Sequence, residues 1–235
     1  MSYCRFATIY GIDATMKITW LGHAAFLIET VSDGNSVEII TDPYSSAIGF
    51  DPIALPADIV TLSHVNPKYH SHLGDIFGNP EIVDGLSLAP RETTVRGVRF
   101  GAIQVFEDLT GEGPNAMVRI ESEGLRILHM GDLGHALTEA TIEACGRVDI
   151  LLALAGGPPT IGLPDLRVLC DRMRPRIVIP MHFGVPKLDM NLRPVADFAA
   201  LLPADRVIHE PGCSMEITVD SLPDKMELRV LRHAR

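Results

Sequence analysis

No two cysteines in this 235-residue chain stand at C-x-x-C spacing: Cys4, Cys145, Cys170 and Cys213 are scattered singly. That excludes a zinc-ribbon or thioredoxin-like motif and fits reduced thiols in a reducing cytoplasm. Apolar residues nowhere run to the roughly eighteen that a membrane-spanning helix needs. The opening Met1-Ser-Tyr-Cys-Arg-Phe also lacks the apolar core of a secretory signal. The expectation is a soluble, cytoplasmic protein with no membrane partner. Basic side chains are in deficit, 20 Lys and Arg against 30 Asp and Glu for a net charge of -10, so a broad electrostatic footprint for nucleic acid is missing. Internal repeats, low-complexity segments and long linkers are lacking too, which favours one domain.

What the chain does have is a 46% apolar fraction, ample for a buried core. Residues 1–15 carry no periodicity. From Met16 the sequence reads as two strands broken at Gly22, so the domain is expected to span 16–235 behind an N-terminal extension. Strands follow at 37–41 and 59–63. A glycine-punctuated, mostly β run covers 81–128. After Met130-Gly-Asp132 helices and strands alternate. Residues 138–145 read as a helix stopped by Gly146, and 149–155 as a buried strand. Leu166, Leu169, Cys170 and Met173 repeat at helical spacing behind Pro164, and Ile177-Val-Ile-Pro-Met-His182 is the next strand. Val195, Phe198, Ala199 and Leu202 mark a further helix, and short strands at 206–209, 214–219 and 226–231 close the chain. Strands first, then alternation, predict an α/β fold of two sheets with helices on the outer faces.

Polar residues recur where apolar strands end: Asp42, His64, Asp132 and His182. Four such ends converging on one rim build a metal or acid-base site. Taken singly, each has a plainer explanation, since a histidine after a strand is commonly structural and Asp42-Pro43 is most simply a turn. The strand 59–62 is the focus, because His64, His70 and His72 follow it within nine positions.

The order Trp20-Leu-Gly-His-Ala-Ala-Phe-Leu-Ile-Glu29, Thr41-Asp-Pro43, Asp58-Ile-Val-Thr-Leu-Ser-His64, Leu128-His-Met-Gly-Asp-Leu-Gly-His135, Gly156-Gly157 and Ile179-Pro-Met-His-Phe183 resembles the metallo-β-lactamase superfamily, and within it the ascorbate-6-phosphate lactonase-like branch. The resemblance implies a four-layer αββα sandwich with one or two metal ions, commonly zinc or manganese, at one edge. It implies His64 as the first ligand of a strand-ending H-x-H-x-D-H motif, Asp132 as the residue bridging two metals and His182 as the last ligand. The activity implied is hydrolysis of a small ester, lactone or phosphorylated metabolite. In the intact family a metal-bound water with its pKa lowered from about 16 to about 7 does this work.

The chain departs from that motif. Asn66, Lys68 and Tyr69 stand where His, Asp and His belong, and Glu107 stands where the family carries an isolated His. An amide, an ammonium and a phenol are poor zinc ligands at neutral pH. Two readings stay open. In one, a single Zn or Mn ion is held by His64, Asp132 and His182 with Glu107 as a fourth ligand, Asp132 and His182 being the catalytic pair. In the other no metal is bound, Lys68 supplies the missing positive charge beside Asp132 and Glu107, and the protein is a non-catalytic binding module or pseudoenzyme. His70 or His72 swings in as a further ligand if the loop opened by Asn66-Pro67 is shifted by a residue; otherwise both are bystanders on a solvent-facing turn, the reading preferred. His23 is either at the rim or a backbone-bonded hairpin residue. His129 and His135 are orienting or surface residues, and Gly156-Gly157-Pro158-Pro159 is a loop of close backbone approach. The partner expected is a small molecule, and a homo-oligomer stays open.

Overall fold

Alternation along two short strands decides how the first sheet is buried on both faces. In Asn35–Thr41, Val37 and Ile39 join the large cluster between the sheets, whereas Ile40 points to a second cluster outside. In Ile59–Leu62, Ile59 faces inward while Val60 and Leu62 face outward. The near-continuous apolar reading of these segments follows from that two-sided burial. The computed structural model describes residues 15–235 apart from 109 and 189. The expected extension at 1–15 therefore lies, save for Thr15, outside the described residues.

Two sheets pack face to face. One runs in the order Ser214–Ile217, Met16–Gly22, Ala25–Ser32, Asn35–Thr41, Ile59–Leu62, Glu81–Asp84. The other runs Val207–His209, Glu227–Val230, Ile177–Met181, Ile150–Leu154, Leu125–His129, Pro114–Ser122, Val98–Phe106, Glu92–Val95. Asn35–Thr41 and Ile59–Leu62 are parallel neighbours, as are Leu125–His129, Ile150–Leu154 and Ile177–Met181. Parallel pairing places the C-terminal ends of neighbouring strands at one rim. Among the described residues no helix is long and apolar enough to cross a membrane.

The architecture is the expected αββα-type sandwich. The helices Glu139–Cys145, Leu163–Met173 and Val195–Ala199 bury Cys145, Leu166, Leu169, Cys170 and Phe198 in the same cluster as the eight-stranded sheet. Thr138 caps the first of them by accepting from the Thr141 backbone N–H. The outer face of the six-stranded sheet is covered differently, by residues 43–57 with the single 3₁₀ turn Ser46–Ile48 and by Leu188. The run 81–128 is not all strand. A one-turn helix, Gly85–Leu88, interrupts it where Asp84 caps the Ser87 N–H.

The Gly156-Gly157 pair does allow close backbone approach. A Cβ on Gly156 would lie 2.1 Å from the His182 carbonyl oxygen, and the chain is held there by Ala155 N–H to Met181 O and Arg193 N–H to Gly156 O. The atom in the way is backbone, so it cannot swing aside. Gly156→Ala should cost about 1–3 kcal/mol in urea unfolding. An unchanged midpoint would show that this rim yields more easily than its packing indicates.

Candidate metal centre

The candidate side chains enter from strand ends, His70 excepted, and the first of them is buried without a counter-charge on its own strand. Asp42 follows Asn35–Thr41 with φ 38° and is 1% exposed. Its Oδ1 accepts the Ser63 N–H at 2.7 Å, and its Oδ2 accepts the Ser63 hydroxyl at 2.5 Å and the His70 Nδ1–H at 3.0 Å. Asp42 is thus far more than a turn residue. Ser63 Oγ in turn lies 3.0 Å from His64 Nδ1.

His70 reaches this site through a turn that the motif spacing conceals. The Asn66 carbonyl accepts the N–H groups of Tyr69, His70 and Ser71, at 3.1, 2.8 and 3.0 Å. The Ser71 hydroxyl closes the turn on the Asn66 N–H at 2.9 Å. The segment is then stitched to the strand end beside it by Ser45 N–H to Lys68 O and His72 N–H to Pro43 O. The turn throws His70 inward, where it is completely buried. The bystander reading is right for His72, which is partly exposed against Asp75, and wrong for His70.

Asp132 is held by its backbone. Its N–H donates to Asn115 Oδ1 at 3.0 Å, and Asn115 Nδ2 donates to Met130 O at 3.1 Å. Gly131 takes φ 58°, and a Cβ there would strike the Asn115 side chain at 2.2 Å. Three hydrogen bonds lace the two sheets along this rim: Ala116 N–H to Ser63 O, His182 N–H to His23 O, and His129 Nε2–H to Ala24 O. His129 Nδ1 accepts the Gly131 N–H at 3.0 Å, so this ring is neutral and orients the loop, as expected. His135, partly exposed, contacts the Ala136 carbonyl.

Around the centre, His70 Nε2 is 2.9 Å from Asp132 Oδ2 and His182 Nε2 is 3.3 Å from Asp132 Oδ1. Neither contact has hydrogen-bond alignment, and His70 Nε2, Asp132 Oδ1 and His64 Nε2 are buried without hydrogen-bond partners. Both ring nitrogens of His23 are likewise unpaired, with its ring 4.3 Å from that of His182 and 5.1 Å from that of His70. Candidate ligand atoms of His23, His70 and His182 lie within 4.8 Å of one another, as do those of His64, His70 and Asp132. Two ligands about 2.1 Å from a common ion, at tetrahedral or octahedral angles, stand about 3.0–3.4 Å apart. The observed contacts are of that size, and buried lone pairs aimed at one point are what a cation satisfies.

Electrostatics agree. Burial holds the His23, His64 and His182 pKa values below the usual imidazole range, reinforced by the charge of neighbouring imidazoles. They are therefore neutral at pH 7, the form that ligates. For His70 burial works the same way but is outweighed by the charge and contact of Asp132 and by Asp42, pushing its pKa up to about 10. Asp132 is held well below the usual carboxylate range against the effect of burial, by His70 and His182. A positive charge, proton or metal, belongs between His70 and Asp132.

Comparison with known proteins is decisive for the family. The model of the beta-lactamase superfamily domain matches residues 17–182. The chain belongs to the β-lactamase superfamily. A UPF0173 metal-dependent hydrolase of Pelotomaculum thermopropionicum is 28% identical over 86% of this chain and 100% of its own, and one of Archaeoglobus fulgidus is 29% identical over 86% and 99%. A solved structure from Thermotoga maritima, described as a proposed Zn-dependent hydrolase of the metallo-β-lactamase superfamily, superimposes with a TM-score of 0.75 at 33% identity, covering 92% of this chain and 98% of that one. A metallo hydrolase from Ignicoccus hospitalis shares the fold at 18% identity and a TM-score of 0.58, covering 86% of this chain and 98% of its own.

Within this superfamily fold, the structure brings His64, Asp132 and His182 to one point. Glu107 is at the mouth, its side chain 39% exposed, with Oε1 3.5 Å from His64 Nε2. Burial and the charge of Asp132 raise the Glu107 pKa. Lys68 is exposed, with Nζ 4.9 Å over the Tyr69 ring, and the ring nitrogens of His70 and His182 stand beside the Asp132 carboxylate. His23 is at the rim, one of the two places the sequence allowed it; the inward turn of His70 was the less favoured reading, and Asn115 is what sequence reasoning missed. The signal for His70 was the Asn66-Pro67 turn; Asn115 left none. Asn115→Leu leaves the Asp132 N–H and the Met130 carbonyl unpaired, and should cost about 2–4 kcal/mol in thermal or urea unfolding. A loss below about 0.5 kcal/mol would mean that the loop finds other partners.

Proposed function

We propose that this protein is a metal-dependent hydrolase whose single ion is held by His64, His70, Asp132 and His182, with His23 and Glu107 as outer donors. The carrying observation is the convergence of unpaired, buried imidazole nitrogens on the Asp132 carboxylate. Both candidate ligand groups use His70, whose Nδ1 is engaged by Asp42. One free ring nitrogen serves one ion, so the two groups describe one centre. A donor set rich in imidazole suits zinc better than manganese.

When bound, such an ion supplies a water acidic enough to ionise near pH 7 and polarises a carbonyl or phosphoryl oxygen. The chain's own residues do the rest. Asp132, fixed by Asn115, is placed to orient that water, and His182 holds the opposite side. Glu107, half-exposed beside His64, is the carboxylate facing the mouth. The substrate class that fits is a small ester, lactone or phosphorylated metabolite.

One observation favours a metal-free alternative in a form other than Lys68: His70 lies between Asp42 and Asp132, so a protonated ring there neutralises both carboxylates. Metal analysis separates the two. After chelator treatment and zinc reloading, the wild type should retain about one equivalent, His70→Ala less than about a tenth, and His72→Ala the wild-type amount. Hydrolysis across a panel of aryl esters, lactones and phosphorylated compounds should vanish with chelator and return with zinc. Wild-type protein holding under about a tenth of an equivalent would sink the hydrolase reading.

A further inference from the structure

The imidazoles of the centre differ in what stands behind them. His23 has no partner at either nitrogen. His64 and His70, though they come from different segments, are both backed by the same buried carboxylate. A carboxylate has no proton to give, so every group touching it must donate. The Ser63 N–H, the Ser63 hydroxyl and His70 Nδ1 all do so toward Asp42. Having given its proton to Asp42, Ser63 Oγ can only accept, and what it meets at 3.0 Å is His64 Nδ1. Both rings then carry a proton on Nδ1, which leaves Nε2 as the nitrogen each can offer to a cation at the centre. His129, with Nδ1 accepting and Nε2 donating, shows that the opposite tautomer forms one strand away when the partners demand it.

We infer that Asp42 is a positioning residue that sets two ligands at once, His70 directly and His64 through Ser63, without itself being a ligand. The inference rests on the metal-centre reading above. It has a sharp chemical consequence for the isosteric variant. In Asp42→Asn the backbone N–H of Ser63 cannot reverse, so the amide oxygen must stay opposite it and the amide NH₂ must take the place of Oδ2. That NH₂ faces two former donors. His70 then has to accept at Nδ1, and the Ser63 hydroxyl, released from the carboxylate, is free to turn and donate to His64 Nδ1. Both rings shift their proton to Nε2, where it blocks ligation. In Ser63→Ala only the His64 branch is cut.

The test uses two readouts on the full chain. Ring correlations of ¹⁵N-histidine-labelled, metal-free protein report the His64 tautomer, and competition with a chromogenic chelator reports zinc affinity. Expected are an Nδ1–H tautomer of His64 in the wild type, Nε2–H in Asp42→Asn and no fixed preference in Ser63→Ala. Zinc affinity should fall about 10-fold in Ser63→Ala and about 100-fold in Asp42→Asn. Thermal melts check that each variant folds, and Ser63→Ala alone carries the test if Asp42→Asn does not. An Nε2–H tautomer of His64 in the wild type, or Ser63→Ala with unchanged ring signals and an affinity within about twofold of wild type, overturns the inference. If the wild type binds no zinc, the hydrolase reading fails while the His64 tautomer still decides the positioning role.

Discussion

A carboxylate with almost no exposed surface must be given donors or remain uncharged, and the way Asp42 is satisfied shapes everything at this rim. Burial alone would raise its pKa; the charge and hydrogen bond of His70 and the Ser63 hydroxyl outweigh that and hold it below the usual aspartate value. Its donors come from the end of Ile59–Leu62 and from the turn beyond it. Satisfying one side chain therefore ties two strand ends and a loop together, and fixes which ring nitrogen of His64 and His70 faces the centre. The left-handed backbone at Asp42, φ 38°, is tolerated because the residue is so fully held.

The rest of the rim is arranged around that point. Backbone and side-chain bonds between the sheets, Ser63 to Ala116, His23 to His182 and Ala24 to His129, keep the two halves of the site at fixed separation. Asn115 supports the Asp132 loop from below, using both ends of its amide. The resulting pocket holds more nitrogen donors than the degenerate motif indicates. Where the resemblance implies H-x-H-x-D-H the chain carries Asn66, Lys68 and Tyr69, and His70, outside those positions, brings a buried imidazole beside Asp132. Function in such a superfamily follows the geometry of the site, since one fold supports many of them.

Much of the architecture was legible in the residues. Alternating apolar positions, Pro164 and Pro194 at helix starts and Gly146 at a helix end located the elements because these signals act over a few residues. Strand-ending Asp42, His64, Asp132 and His182 also pointed to one rim, since parallel strands end on the same side. The one-turn helix Gly85–Leu88 was invisible because its stability comes from contact with Val98–Phe106 and Pro114–Ser122 rather than from a periodic pattern.

What the sequence determined by itself was the set of strand ends, their order and the residue types that follow His64. Tertiary structure alone decided which polar side chains meet there. Counting positions from His64 assumes an ordinary loop, but three N–H groups gathered on the Asn66 carbonyl shift the register and turn His70 inward while leaving Lys68 outside. Whether this histidine turns into the rim depends on where a buried carboxylate 28 positions earlier is waiting for a donor, and long-range pairing of that kind leaves no periodicity to read.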